Sequence, residues 1–132
     1  MHITLEADYA VRIVNCLSKA QSRMDAKAIS EATGVTLRFS LKILRKLVAA
    51  GLVKSYKGTH GGYELAKEPK DLTLYDVIHT VEGPYELSRC ISPDFNCTQK
   101  GEQNCVCRFN KVYSDISNMV IERLKAVTFD AE

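Results

Sequence analysis

Four cysteines, Cys90, Cys97, Cys105 and Cys107, fall within 18 residues of a 132-residue chain, in the spacing C-x6-C-x7-C-x-C. Thiolates are soft ligands and redox-active nucleophiles, so a cluster of them can bind metal or cycle between thiol and disulfide. The spacing has neither the paired C-x2-C of a zinc ribbon nor the C-x-x-C of a thioredoxin site, and no histidine lies among the cysteines or after them. Zinc is therefore a poor match. Ligands scattered along a segment without periodicity suit an iron-sulfur cluster, which accepts thiolates from several directions. Two other readings stay open: a dithiol switch pairing Cys105 with Cys107 or Cys90 with Cys97, and loop thiols of no function. Cys16, among Ile13, Val14 and Leu17, reads instead as a core thiol. Glu6 and Asp8 open the first helical stretch, where carboxylates favour the helix dipole; the alternative is that one supplies an oxygen ligand.

A second uneven distribution points to a polyanion. Residues 1–69 carry 11 Lys and Arg against 6 Asp and Glu, a net of +5, and residues 70–132 carry 7 against 10, a net of −3. Six cations (Arg38, Lys42, Arg45, Lys46, Lys54, Lys57) and no acid lie between Thr36 and His60. A solvated basic face would also explain scattered charge, so the elements that carry it decide.

Apolar positions at helical spacing predict a first helix over 5–20, with Asp8 and Arg12 together on another face. Asp25 predicts an N-cap for a short helix over 26–32 that Gly34 stops. Thr36 caps a third helix ending at Gly51, with Leu37, Leu41, Leu44, Leu47 and Val48 as its apolar stripe and Arg38, Ser40, Lys42, Arg45 and Lys46 on or near the outer face. Two short strands, 52–56 and 62–65, then flank the turn 57–61. Helix, tight turn, helix and glycine-rich hairpin in this order make a winged helix-turn-helix. Its second helix would lie in the major groove and its wing on phosphates or the minor groove. Thr36, Arg38, Ser40 and Lys42 form the reading end, with Arg38 suited to a guanine edge; Lys46 and Lys57 suit phosphates, and Thr59, His60 and Gly61 belong to the wing tip.

Beyond Pro69, the Thr73 to Asp76 segment has a capping-box pattern and opens a helix closed by Gly83-Pro84. Residues 85–106 lack periodicity. From Cys107 to about 126, Phe109, Val112, Tyr113, Ile116, Met119, Val120 and Leu124 predict a long helix too apolar on one face to stand alone, packed on the first helix, a second copy of itself, or both. The expected fold is mainly α: a winged helix-turn-helix over 1–69, then, over 70–132, a cluster-binding loop at about 85–107 and a long C-terminal dimerisation helix. With 45% hydrophobic and 26% charged residues the chain has the composition of a folded domain. No apolar run nears the roughly 20 residues of a membrane span, and the start lacks a signal-peptide pattern, so a cytoplasmic protein without membrane association is expected. No nucleophile-base pair, phosphate loop or paired carboxylates suggest an enzyme.

The stretch Leu5-Glu6-Ala7-Asp8-Tyr9-Ala10-Val11-Arg12, the Ala49-Ala50-Gly51-Leu52-Val53 turn, the wing Gly58-Thr59-His60-Gly61-Gly62-Tyr63 and the Val81-Glu82-Gly83 segment resemble the bacterial winged-helix regulators of the IscR/NsrR/RirA/CymR family, nearly end to end. The resemblance implies a homodimeric repressor or activator that binds a double-stranded DNA operator. In many members it also implies an iron-sulfur cluster held by three cysteines and a fourth ligand, 4Fe-4S or 2Fe-2S. By position, Cys90, Cys97 and Cys107 match the three cysteines, and Asp8 matches the aspartate that NsrR-type members supply from the other subunit. Two departures stand out: Cys105 is an additional thiol, and Asn110 occupies the place where IscR-type members have a ligating histidine. The ligand pattern favours an NsrR-type 4Fe-4S centre sensing nitric oxide or redox state, with Cys105 as the rival fourth ligand. The alternatives are a cluster-free thiol-switch or partner-regulated DNA binder, and an iron-sulfur electron-transfer protein with no DNA role.

Overall fold

The computed structural model describes residues 2–20, 22–96 and 107–130. Among them five α-helices and one two-stranded antiparallel sheet follow in the order α1 (Leu5–Lys19), α2 (Ala26–Thr33), α3 (Leu37–Ala49), β1 (Val53–Tyr56), β2 (Gly62–Leu65), α4 (Leu74–Glu82) and α5 (Arg108–Lys125). Short side chains start four of the helices. Thr4, Asp25, Thr36 and Thr73 each accept a hydrogen bond from a backbone N–H three residues on, satisfying a donor that the helix itself cannot. At α4 the box is reciprocal, because the Asp76 carboxylate accepts from Thr73 N–H at 3.0 Å.

A single core joins both halves of the chain. Ala10, Ile13, Val14 and Leu17 of α1 meet Ile29 of α2, Ile43, Leu44 and Leu47 of α3, and Leu72 and Val77 at α4. Helix α4 packs extensively on α1, and Thr4 N–H donates to Glu82 Oε1 at 2.7 Å, tying the start of one to the end of the other. The wing pairs Val53 with Leu65 and Tyr56 with Gly62. Its outer strand gains a third partner, since Met24 and Tyr63 exchange backbone hydrogen bonds of 3.1 and 2.8 Å.

Of the partners expected for α5, the first helix is not a main one: within the chain α5 packs on α4 and on a short 3-10 turn, Arg89–Ile91. Ser117 is the one residue of α5 that is buried, its hydroxyl accepting from Leu87 N–H at 3.0 Å. Past α5 the chain returns to the core: Leu74 N–H donates to Val127 O, and Phe129 N–H is shared between Pro69 O and Leu72 O. No described helix is long and apolar enough to cross a membrane.

Candidate nucleic-acid interface and metal centre

Helix α3 lies on the core through Ser40, Ile43, Leu44 and Leu47. Ser40 is a correction: it is fully buried and its hydroxyl donates to Val35 O at 3.4 Å, so it is a packing residue rather than a groove-facing one. The small side chain lets α3 approach the α2–α3 turn. Leu37 and Leu41 are corrections of the opposite kind, since both are exposed instead of forming the inner stripe. With Thr36, Arg38, Phe39, Lys42 and Arg45 they line an open groove on the outer face of the helix. Thr36 remains exposed at the N-cap, its oxygen accepting from Phe39 N–H at 3.2 Å.

The lysines of α3 are not equally free. Glu6 Oε1 lies 2.7 Å from Lys46 Nζ and 3.8 Å from Lys42 Nζ, so one carboxylate of α1 draws on both. Arg38 and Arg45 are exposed and make no ion pair among the described residues. Lys57, Thr59 and His60 are exposed at the wing tip. Gly61 belongs to the wing's turn for a steric reason, because a Cβ there would lie 2.6 Å from Tyr56 O.

A clamp that the sequence did not disclose holds the wing. The Arg23 guanidinium sits 3.3 Å from the centre of the Tyr56 ring, its Nε is 3.8 Å from Glu64 Oε2, and it donates to His60 O at 3.3 Å. Tyr56 Oη in turn donates to Glu64 Oε1 at 2.6 Å, and that carboxylate beside it pushes the phenol's pKa up. An arginine just ahead of the Asp25 cap is the faint signal, legible only once the hairpin is known to fold back on it.

Matching a family model described as an iron-dependent transcriptional regulator, residues 3–131 align with the Rrf2 family. The chain belongs to that family. Rrf2 regulators are DNA-binding transcription factors rather than enzymes, and relatives of this chain are described as HTH-type transcriptional regulators. The chain is similar to protein aau3 of Rhizobium meliloti, 30% identical over 98% of this chain and 83% of that protein. It is 26% identical to the HTH-type transcriptional regulator NsrR of Shouchella clausii over 73% of this chain and 66% of that one. Among solved structures, CymR, the global cysteine regulator of B. subtilis, superposes with a TM-score of 0.77 at 26% identity, covering 98% of this chain and 94% of that one. T. potens IscR gives the same TM-score, 0.77, at 24% identity over 98% and 84% of the two chains, and shows the shared fold.

Against this Rrf2 frame the thiols fall into two groups. Cys16 is half-buried beside the core rather than within it, its sulfur 3.7 Å from that of Met24, and burial pushes its thiol pKa up. Cys90 and Cys107 are free and half-buried on elements that touch, the 3-10 turn and the start of α5. Asn110, one helical turn from Cys107, bonds the first of them: its Nδ2 donates to Cys90 O at 3.0 Å and toward Cys90 Sγ at 3.5 Å. Ser88 Oγ donates to the same sulfur at 3.2 Å. Cys107 occupies the N-cap of α5 without using its side chain as a cap. Two uncommitted thiols on touching elements, one already accepting hydrogen bonds, are the donor type that a thiophilic centre takes. Cys97 and Cys105 lie outside the described residues. Among the described ones no three Cys, His, Asp or Glu side chains gather round one point. Asp8 is occupied by Arg12, 3.0 Å away on the same helix. His79 is exposed and stacks on Tyr75.

Proposed function

We propose that this Rrf2 regulator is a homodimer that binds a double-stranded operator and whose affinity is set by an iron-sulfur cluster at the Cys90–Cys107 corner. The observation that carries the reading is the hydrogen bond from Asn110 to Cys90, which ties the 3-10 turn bearing Cys90 to the first turn of α5, the helix that Cys107 caps. The family's description as iron-dependent and the similarity to NsrR support it. Cys90, Cys97 and Cys107 would be the thiolate ligands, with Asp8 of the second subunit or Cys105 as the fourth. When bound, the cluster supplies a centre that reacts with oxidants or nitric oxide. Cys90 and Cys107 then fix the 3-10 turn to the first turn of α5. If Asp8 ligates, Arg12 releases it and α1 of one subunit is tied to the loop of the other. Either contact changes the spacing of the two reading helices, which is how an event at the cysteines alters operator occupancy.

The dimer is supported by α5. Phe109, Val112, Ile116 and Met119 recur at three- and four-residue steps and are all exposed, Met119 by 68%. A stripe of that length and character suits a parallel or antiparallel copy of itself. Residues 1–69 then act as the DNA-reading part and 70–132 as the sensing and dimerising part, in the cytoplasm, where the operator is.

Similarity to CymR favours a second reading, a cluster-free thiol switch. Anaerobic purification separates the two: iron, acid-labile sulfide and near-visible absorption that bleaches with nitric oxide, together with a change in operator affinity, are expected. Protein without iron or sulfide whose affinity follows thiol oxidation alone would establish the switch instead.

A further inference from the structure

We infer that Leu37 and Leu41 are base-reading residues, making apolar contact with the 5-methyl groups of thymines in the major groove of the operator. The inference rests on the DNA-binding reading of α3 and names what its outer face selects. Leu37 is 46% exposed and Leu41 40% exposed, on the flank of the helix beside the buried Ser40, Ile43, Leu44 and Leu47. At adjacent turns of a short amphipathic helix, each of these leucines keeps two-fifths or more of its surface in water, uncovered by the chain itself. Their surroundings say what covers them. Arg45 continues the row one turn beyond Leu41, Arg38 and Lys42 form the neighbouring row, and no acidic residue lines this face. A hydrophobic protein partner would have to bring its own anions to such a rim. DNA supplies them at every phosphate, and on the base edges between those phosphates its apolar feature is the thymine methyl.

The spacing agrees. Leu37 is the first residue of α3 and Leu41 stands one turn on, about 6 Å further along the axis. Stacked bases on one strand are about 3.4 Å apart, so two steps cover nearly the same distance. A helix entering the groove by its N-terminal end thus sets the two side chains over methyls about two base pairs apart, while Arg38 and Arg45 reach acceptors or phosphates alongside.

The test starts from duplexes enriched by the purified regulator out of a random-sequence pool. Each thymine of the enriched site is replaced singly by uracil, which removes only the methyl. At two positions per half-site, about two base pairs apart, affinity should fall about fourfold each, the worth of one buried methyl-sized group. Leu41→Ala, at an exposed helical position where alanine is well tolerated, should abolish the uracil sensitivity at one of the two and leave the salt dependence as it was. Leu41→Met, which keeps an apolar reach, should retain it. Tight, salt-dependent binding of the enriched duplex that no uracil substitution weakens would overturn the inference and leave DNA binding standing. Failure to enrich or bind any duplex would overturn both.

Discussion

If α3 is the DNA-reading helix, Glu6 sets how much of its positive charge is available to phosphates. Its carboxylate lies 2.7 Å from Lys46 Nζ and 3.8 Å from Lys42 Nζ, and its own side chain is only 21% exposed, so the pairing is sheltered from screening. Glu6→Gln removes that charge while keeping the shape. Each lysine that then turns to a phosphate adds about 0.9 to the slope of log affinity against log salt. For Lys46 alone, the gain in affinity over the parent should be about 3.5-fold larger at roughly 50 mM salt than at 200 mM, and if Lys42 follows, about twelvefold larger. The cost to folding is small, about 0.2–1 kcal/mol, because both lysines remain partly in water. Fluorescence anisotropy of one labelled duplex across a salt series reads the slope directly. An unchanged slope would show that neither lysine is withheld from DNA. A shallower one would show that Glu6 aims the lysines at phosphates instead of away from them, and either result refutes the reasoning.

Gly62 has φ +131°, and a Cβ there would meet Met24 O at 2.8 Å, so Gly62→Ala should separate the wing from Met24 and lower the urea midpoint and the DNA affinity together. Thr73→Ala removes one arm of the capping box of α4 and should cost about 1 kcal/mol in equilibrium urea unfolding, whereas Thr73→Ser should cost much less. Arg23→Ala should weaken DNA binding severalfold and speed amide exchange in the hairpin while leaving exchange in α1 and α3 unchanged; Arg23→Lys should fail to rescue it, lacking the planar fork that stacks on Tyr56. Met119→Glu puts a charge into the exposed stripe of α5 and should shift the chain from dimer to monomer in analytical ultracentrifugation.

What the sequence reveals is what neighbours decide. Asp25, Thr36 and Thr73 act as caps because each needs only an N–H three residues away, and the wing strands are legible from their turn. Helix α3 is harder, since its wheel offers two apolar arcs, one through Leu37 and Leu41 and one through Ile43 and Leu47. Only tertiary packing, with Ser40 small enough to lie flat on the α2–α3 turn, selects the second. Contacts over long sequence distances leave no local trace. Met24 meets Tyr63, Arg23 meets Tyr56, and Val127 meets Leu74, each pair formed by chain reversal. At the candidate metal centre, residue types single out Cys90, Cys97, Cys105 and Cys107 together, but the bond from Asn110 to Cys90 follows from the fold of the 3-10 turn onto α5.

The return of the chain after α5 makes that helix a lever with a fixed pivot. Its far end is stitched to the core beside α4 by the backbone bonds of Val127 and Phe129, and its near end carries Cys107. Eighteen residues give an arm of about 27 Å. A displacement of roughly 2 Å at the cysteine end, the scale of a ligand gained or lost, swings the arm by about 4° about a point that hardly moves. Because the apolar stripe runs along this arm, the same swing reorients whatever is docked on it.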